Sequence, residues 1–251
     1  NRYEIEKEMS GPNQIMEYEP AGPTIKKFHE SEAFVRGIMG PFGSSKSTAC
    51  VMEILRRAAK QTPSANGIRY SRFAIVRNSY PELRTTTLKT WNAWCPAAFG
   101  RLTMDSPILH HIKTEDLDLE VLFLALDREE DQKKLLSLEL TGAWLNEARE
   151  IPKGIIDAMT GRVGRYPSRM QGGCTWSGII MDTNPPDDQN WWYKCAEEDV
   201  PEGWEFFQQP PGDSAEAENL QNLPKNYYER MKQGKDPDWV KVYIQGQYGF
   251  V

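Results

Sequence analysis

The stretch Gly40-Pro41-Phe42-Gly43-Ser44-Ser45-Lys46-Ser47-Thr48 constrains this chain more than any other. It follows a short apolar run over residues 33–39 and opens a segment in which Cys50, Val51, Ile54, Leu55 and Ala58 recur at helical spacing. The order is strand, tight glycine turn, helix. A phosphate chain needs inward-pointing backbone N–H groups, a cation and a hydroxyl for a metal. Gly40 and Gly43 supply backbone freedom, and the helix start, with Ser44, Ser45 and Thr48, supplies N–H groups and positive dipole. Lys46 can reach the β- and γ-phosphates of a nucleotide, and Ser47 can ligate Mg²⁺. The pattern is G-x-x-x-x-G-K-[ST] with Ser45 where the second glycine is expected, and a serine suits a regular loop there if its φ is negative.

A second nucleotide element should be an apolar strand ending in acid. Gly142-Ala143-Trp144-Leu145-Asn146-Glu147 has that form. Glu147 fits the role of polarising the attacking water, and Asn146 occupies the position that supports the metal. An amide carbonyl there accepts from a metal-bound water but adds no negative charge, so weaker Mg²⁺ affinity is expected. A third apolar strand, Gly178-Ile179-Ile180-Met181, ends in Asp182-Thr183-Asn184-Pro185-Pro186, where polar side chains can sense the γ-phosphate and the prolines turn the chain out of the sheet. Arg162 and Arg165 share a short glycine loop and are candidates for neutralising charge on the transferred phosphoryl group, in a neighbouring subunit or as plain surface cations.

Between these elements, Phe73-Ala74-Ile75-Val76 reads as a strand buried on both faces, followed by a helix over residues 82–94. Residues 117–125 read as a strand hairpinned with His110-His111-Ile112-Lys113. The two histidines are hairpin residues with no third metal ligand at a workable spacing. The charged run over residues 127–134 reads as a solvated face. Residues 1–30, with Pro12, Pro20 and Pro23, form an irregular lead-in in which Phe28 or Tyr18 either stacks on the adenine or packs on the core. Residues 31–209 are the α/β core, and 210–251 a helical subregion. Within the latter, residues 210–222 read as a solvated connector, and 224–234 and 237–245 as short amphipathic helices. The fold class expected is a single α/β domain with a mainly parallel sheet, its phosphate-loop strand central, helices on both faces and an antiparallel edge.

The 251 residues carry 30 Lys and Arg against 36 Asp and Glu, a net charge of −6. Bulk charge therefore does not hold this chain on a polyanion, and any nucleic-acid contact must come from local patches. The four cysteines form no C-x-x-C pair and the three histidines no zinc pattern, so a reducing cytoplasm is the expected setting. No apolar run is long enough to span a bilayer, and a chain beginning with Asn1 reads as an excised piece.

Together, the phosphate loop, Ile75-Val76-Arg77-Asn78-Ser79-Tyr80, Leu140-Thr141-Gly142-Ala143-Trp144-Leu145-Asn146-Glu147-Ala148, Thr183-Asn184-Pro185-Pro186 and the closing Gly246-Gln247-Tyr248-Gly249 resemble the large terminase subunit of tailed bacteriophages. The resemblance implies the N-terminal packaging ATPase of that family, a P-loop motor of RecA-like fold. In it Lys46 and Ser47 bind Mg-ATP, Glu147 is catalytic, and Thr183-Asn184 couple hydrolysis to movement. It further implies action in the host cytoplasm as a ring on the portal of a procapsid, with double-stranded viral DNA and the small terminase subunit as partners and Lys89 and Arg101 as candidate DNA contacts. The nuclease half of the family is not expected here. Two other readings are a different P-loop DNA-dependent ATPase, and a nucleotide-gated module that binds DNA or portal with little turnover.

Overall fold

The computed structural model describes residues 3–5 and 16–251; the remainder of the lead-in lies outside the described residues. Ten strands are present among them: β1 (Tyr3–Ile5), β2 (Met16–Tyr18), β3 (Val35–Met39), β4 (Arg69–Arg77), β5 (Arg101–Thr103), β6 (Ile108–Lys113), β7 (Leu117–Ala125), β8 (Gly142–Asn146), β9 (Gly178–Thr183) and β10 (Trp204–Gln208). The helices are α1 (Pro23–Glu30), α2 (Lys46–Lys60), α3 (Tyr80–Glu82), α4 (Leu88–Trp94), α5 (Gln132–Leu135), α6 (Lys153–Thr160), α7 (Trp191–Tyr193), α8 (Tyr227–Lys232) and α9 (Pro237–Tyr243). Eight strands form a mostly parallel sheet in the order β10-β3-β9-β8-β4-β7-β6-β5, with β1 and β2 a separate antiparallel pair. The phosphate-loop strand β3 is thus one strand from the edge rather than central, because β6 and β5 extend the opposite side.

The chain forms two compact units. The first comprises residues 50–146 and 150–180 with the described residues before Pro20. Within it β4 pairs in parallel with β7 and β8, which buries Phe73, Ala74, Ile75 and Val76 between two neighbours and explains an apolar run without alternation. The expected hairpin is present: β6 pairs antiparallel with β7, and β5 with β6. Both strands alternate, with Ile108, His110 and Ile112 inward from β6 and Leu119, Val121 and Phe123 inward from β7. His110 is a core residue whose Nδ1 accepts the indole N–H of Trp91 at 2.9 Å.

Cross-strand register does what linear spacing could not, bringing Asp118 and Glu120 beside His111 with ligand atoms within 4.8 Å. Those groups are already matched with protein partners. His111 Nε2 meets Asp118 at 2.7 Å, and Glu120 forms an ion pair with Arg72. The helix expected over residues 82–94 starts earlier, at α3, where the Ser79 hydroxyl accepts the Glu82 N–H, and runs through a wide turn (Leu83–Thr87) into α4.

The second unit comprises residues 20–49, 147–149 and 181–251. Here β10 pairs in parallel with β3, whose five residues are all buried. Arg36 on β3 is fully buried; its guanidinium donates to the Phe28 carbonyl at 2.7 Å and lies 5.1 Å from the centre of the Phe28 ring. The segment expected as a solvated connector is not one. Glu218 and Asn219 are buried, and the Glu218 carboxylate accepts the Thr24 N–H at 2.7 Å, satisfying a first-turn donor of α1. Polar composition alone does not distinguish a side chain facing water from one facing orphan backbone groups.

Removing the Ile75 side chain leaves a void between paired strands. Ile75→Ala should lower unfolding free energy by about 2–5 kcal/mol, read from the urea midpoint at unchanged m-value.

Candidate nucleotide-binding site

The phosphate loop lies in the second unit, as do Glu147, Asp182, Thr183 and Asn184. Its start is tied to β9, the Gly40 N–H donating to the Thr183 carbonyl at 3.2 Å. Gly40 has no room for a side chain, since a Cβ would lie 2.1 Å from Gln209 Oε1. Gln209, buried at the end of β10, accepts the Ser44 hydroxyl at 2.7 Å and donates to the Ser44 carbonyl at 2.9 Å and to Glu218 at 3.1 Å. The Gly43 carbonyl accepts from Asn219 Nδ2 at 2.6 Å, and the Phe42 carbonyl accepts the Tyr228 hydroxyl at 2.6 Å. The Phe42 N–H donates to the Tyr243 carbonyl at 2.8 Å, and the two rings stack at 4.4 Å. These partners satisfy the loop carbonyls at the mouth of α2. Burial pushes the Tyr228 phenol well above its ordinary value, with neighbouring Tyr227 adding to the rise, so it stays a donor.

Lys46 is buried. Its ammonium donates to the Pro41 carbonyl at 2.7 Å, to the Ser44 hydroxyl at 3.2 Å and to Asn184 Oδ1 at 3.2 Å. The Ser47 hydroxyl donates to Asp182 Oδ2 at 3.0 Å. Thr183 is fully buried and donates to the Asn184 carbonyl at 2.7 Å. The β9 exit is thus bonded to the loop at its first glycine, its lysine and its serine. Thr48, on the first turn of α2, is half-buried.

Two backbone conformations stand out. Ser45 has φ +70°, a left-handed value that glycine adopts without cost, rather than the negative φ that would suit a serine, and the serine bears the strain. Glu147 has φ +52°, and its carboxylate stands 3.9 Å from the Arg149 guanidinium. Arg149 also donates to the Pro185 carbonyl at 3.0 Å and the Tyr243 hydroxyl at 3.1 Å, tying the Glu147 turn to the β9 exit and α9.

Other candidates occupy different settings. Phe28 is fully buried, with Arg36 over its ring and Phe207 edge-on at 6.0 Å, so packing on the core is the role the geometry gives it. In the first unit, Asn146 Oδ1 accepts from Thr87 at 2.7 Å and from Arg77 at 3.2 Å. Arg162 donates to the Leu136 carbonyl at 2.6 Å, and Arg165 is exposed. Lys89 and Arg101 are exposed. Gln209, Asn219, Tyr228 and Arg149 were not read as site residues because their partners, the carbonyls of Ser44, Gly43, Phe42 and Pro185, lie 165, 176, 186 and 36 residues away along the chain. Asp182 stood at the end of the third apolar strand, beside Thr183.

A left-handed non-glycine residue costs about 1–2 kcal/mol, and a glycine loses about 0.5–1 kcal/mol more chain entropy on folding. Ser45→Gly should therefore raise unfolding free energy by about 0.5–1 kcal/mol, checked by urea denaturation. Gln209→Ala orphans the buried Ser44 groups and should lower it by about 1–3 kcal/mol in the same experiment.

No protein-family model matches the sequence, and no curated protein matches it. Solved structures do. The large terminase of the thermophilic bacteriophage D6E in complex with ADP is similar over 90% of this chain and 53% of its own, at 12% identity and TM-score 0.68. The HK97 bacteriophage large terminase is similar over 94% of this chain and 52% of its own, at 13% identity and TM-score 0.60. The ATPase domain of the Thermus phage P74-26 large terminase is similar over 92% of this chain and 95% of its own, at 14% identity and TM-score 0.55. The chain thus spans about half the length of the D6E and HK97 proteins. Its fold is the α/β P-loop ATPase fold of large-terminase ATPase domains.

Proposed function

We propose that the chain is an ATP-hydrolysing motor domain of a viral DNA-packaging terminase. The observation that carries this reading is the second unit's convergence of a phosphate loop, its lysine and serine, a strained glutamate and the Thr183-Asn184 turn. The fold shared with a large-terminase ATPase domain and with a large terminase in complex with ADP supports it.

The loop N–H groups and the ammonium of Lys46 bind the phosphates; on binding, Lys46 exchanges the Pro41 carbonyl and Asn184 for phosphate oxygens. That exchange gives Asn184 a reason to move when nucleotide enters or leaves, and makes the Thr183-Asn184 turn the coupling element. Glu147 accepts a proton from the attacking water, whose oxygen bonds the γ-phosphorus while the bond to the β–γ bridging oxygen breaks and ADP departs. An oxygen-only donor set at Ser47 and Asp182 fits a hard cation such as Mg²⁺. Mg²⁺ would supply charge neutralisation at the β- and γ-oxygens. Arg162 and Arg165 are candidates to complete the site of a neighbouring subunit, and exposed Lys89 and Arg101 to contact duplex DNA. Portal, procapsid and small terminase subunit are the partners this reading carries, at work in the host cytoplasm. Among the described residues, no helix is long and apolar enough to cross a membrane.

Steady-state ATP hydrolysis should depend on Glu147 and rise faster than linearly with protein concentration. Glu147→Gln should lower turnover about 10²–10⁴-fold with nucleotide affinity nearly intact, and Lys46→Ala should abolish nucleotide binding. Turnover unaffected by Glu147→Gln would overturn the catalytic assignment. Binding with no Glu147-dependent turnover at any concentration, with or without duplex DNA, would point to a nucleotide-gated module.

A further inference from the structure

The loop serine is bonded to an acid on β9. Ser47 Oγ donates to Asp182 Oδ2 at 3.0 Å, and Asp182 is fully buried on β9, immediately before the residue whose carbonyl holds the Gly40 N–H. The acid's position relative to the loop is thereby set by backbone. Asn146, where sequence reasoning placed the metal-supporting group, carries no charge. Its amide oxygen already accepts from the Thr87 hydroxyl and from the Arg77 guanidinium, a cation that would oppose a second one.

We infer that Asp182 is the anionic group of the magnesium site, taking over from β9 the charge that Asn146 lacks. The inference rests on the nucleotide-binding reading above. A hydroxyl has one proton and two lone pairs. With its proton committed to Asp182, Ser47 turns its lone pairs toward an entering cation. The carboxylate holds that rotor and offers an anionic oxygen to the cation or its bound water, as a hard, incompletely dehydrated ion requires. The bond also gives the strand carrying Thr183 and Asn184 a direct stake in metal occupancy, so metal and coupling turn share one strand end.

The test is titration of a fluorescent ADP analogue into the whole chain, in EDTA and in Mg²⁺, reading the ratio of the two affinities. For Asp182→Asn, an isostere that still accepts the serine proton, affinity in EDTA should match wild type while the Mg²⁺ enhancement falls at least tenfold. Ser47→Ala should lose the enhancement to a similar degree, and the double variant should lose little more than either alone. An unchanged enhancement in Asp182→Asn overturns the inference, as does an equal loss in EDTA and Mg²⁺, which marks a structural role. Should Asp182→Asn fail to fold by circular dichroism, Asp182→Glu carries the test, because it keeps the charge but displaces it by one methylene. A metal role then expects the enhancement to shift threefold or more with EDTA affinity unmoved, and no shift overturns it. Failure of the wild-type chain to bind the analogue in either medium would instead sink the nucleotide-binding reading itself.

Discussion

The site depends on side-chain hydrogen bonds to the carbonyls of the loop after β3. A tight turn before a helix leaves carbonyls to be satisfied elsewhere, and here those of Pro41, Phe42, Gly43 and Ser44 are taken by Lys46, Tyr228, Asn219 and Gln209. Three of those four partners come from residues beyond 208, so the C-terminal segment is part of the loop's construction. The Phe42–Tyr243 stack adds an apolar fastening at the same place.

Strain is concentrated where chemistry is proposed. Among the described residues, four non-glycine residues have positive φ, and Ser45, Glu147 and Asn219 are three of them. Asparagine tolerates this region, but serine and glutamate do so at a cost that surrounding contacts must offset. For Glu147 the Arg149 network does this, since Arg149 bonds Pro185 and Tyr243 while facing the Glu147 carboxylate. The same network gives the turn after β8 a connection to the β9 exit.

Legibility of the sequence followed the range of the interactions. The apolar runs at Phe73-Ala74-Ile75-Val76 and at β8 and β9 were readable because parallel strands buried on both faces lose alternation, which is a local property. The hairpin of β6 and β7 was readable from alternation and a short polar turn. The capping of α1 by Glu218 was not, since 194 residues separate the acid from the amide it accepts. The meeting of His111 with Asp118 and Glu120 was equally hidden, because it arises from strand register rather than spacing.

By itself the sequence determined the strand–turn–helix around residues 40–48 and marked Lys46, Ser47 and Glu147 as candidates, because short segments with strong local preferences encode these. Only the tertiary structure decided that Ser45 adopts a left-handed conformation, that Ser47 turns to Asp182, and that Asn146 serves Arg77 and Thr87. The reason is physical. A hydroxyl or amide chooses among partners by distance and burial, and those are set by how strands far apart in the chain come to lie side by side.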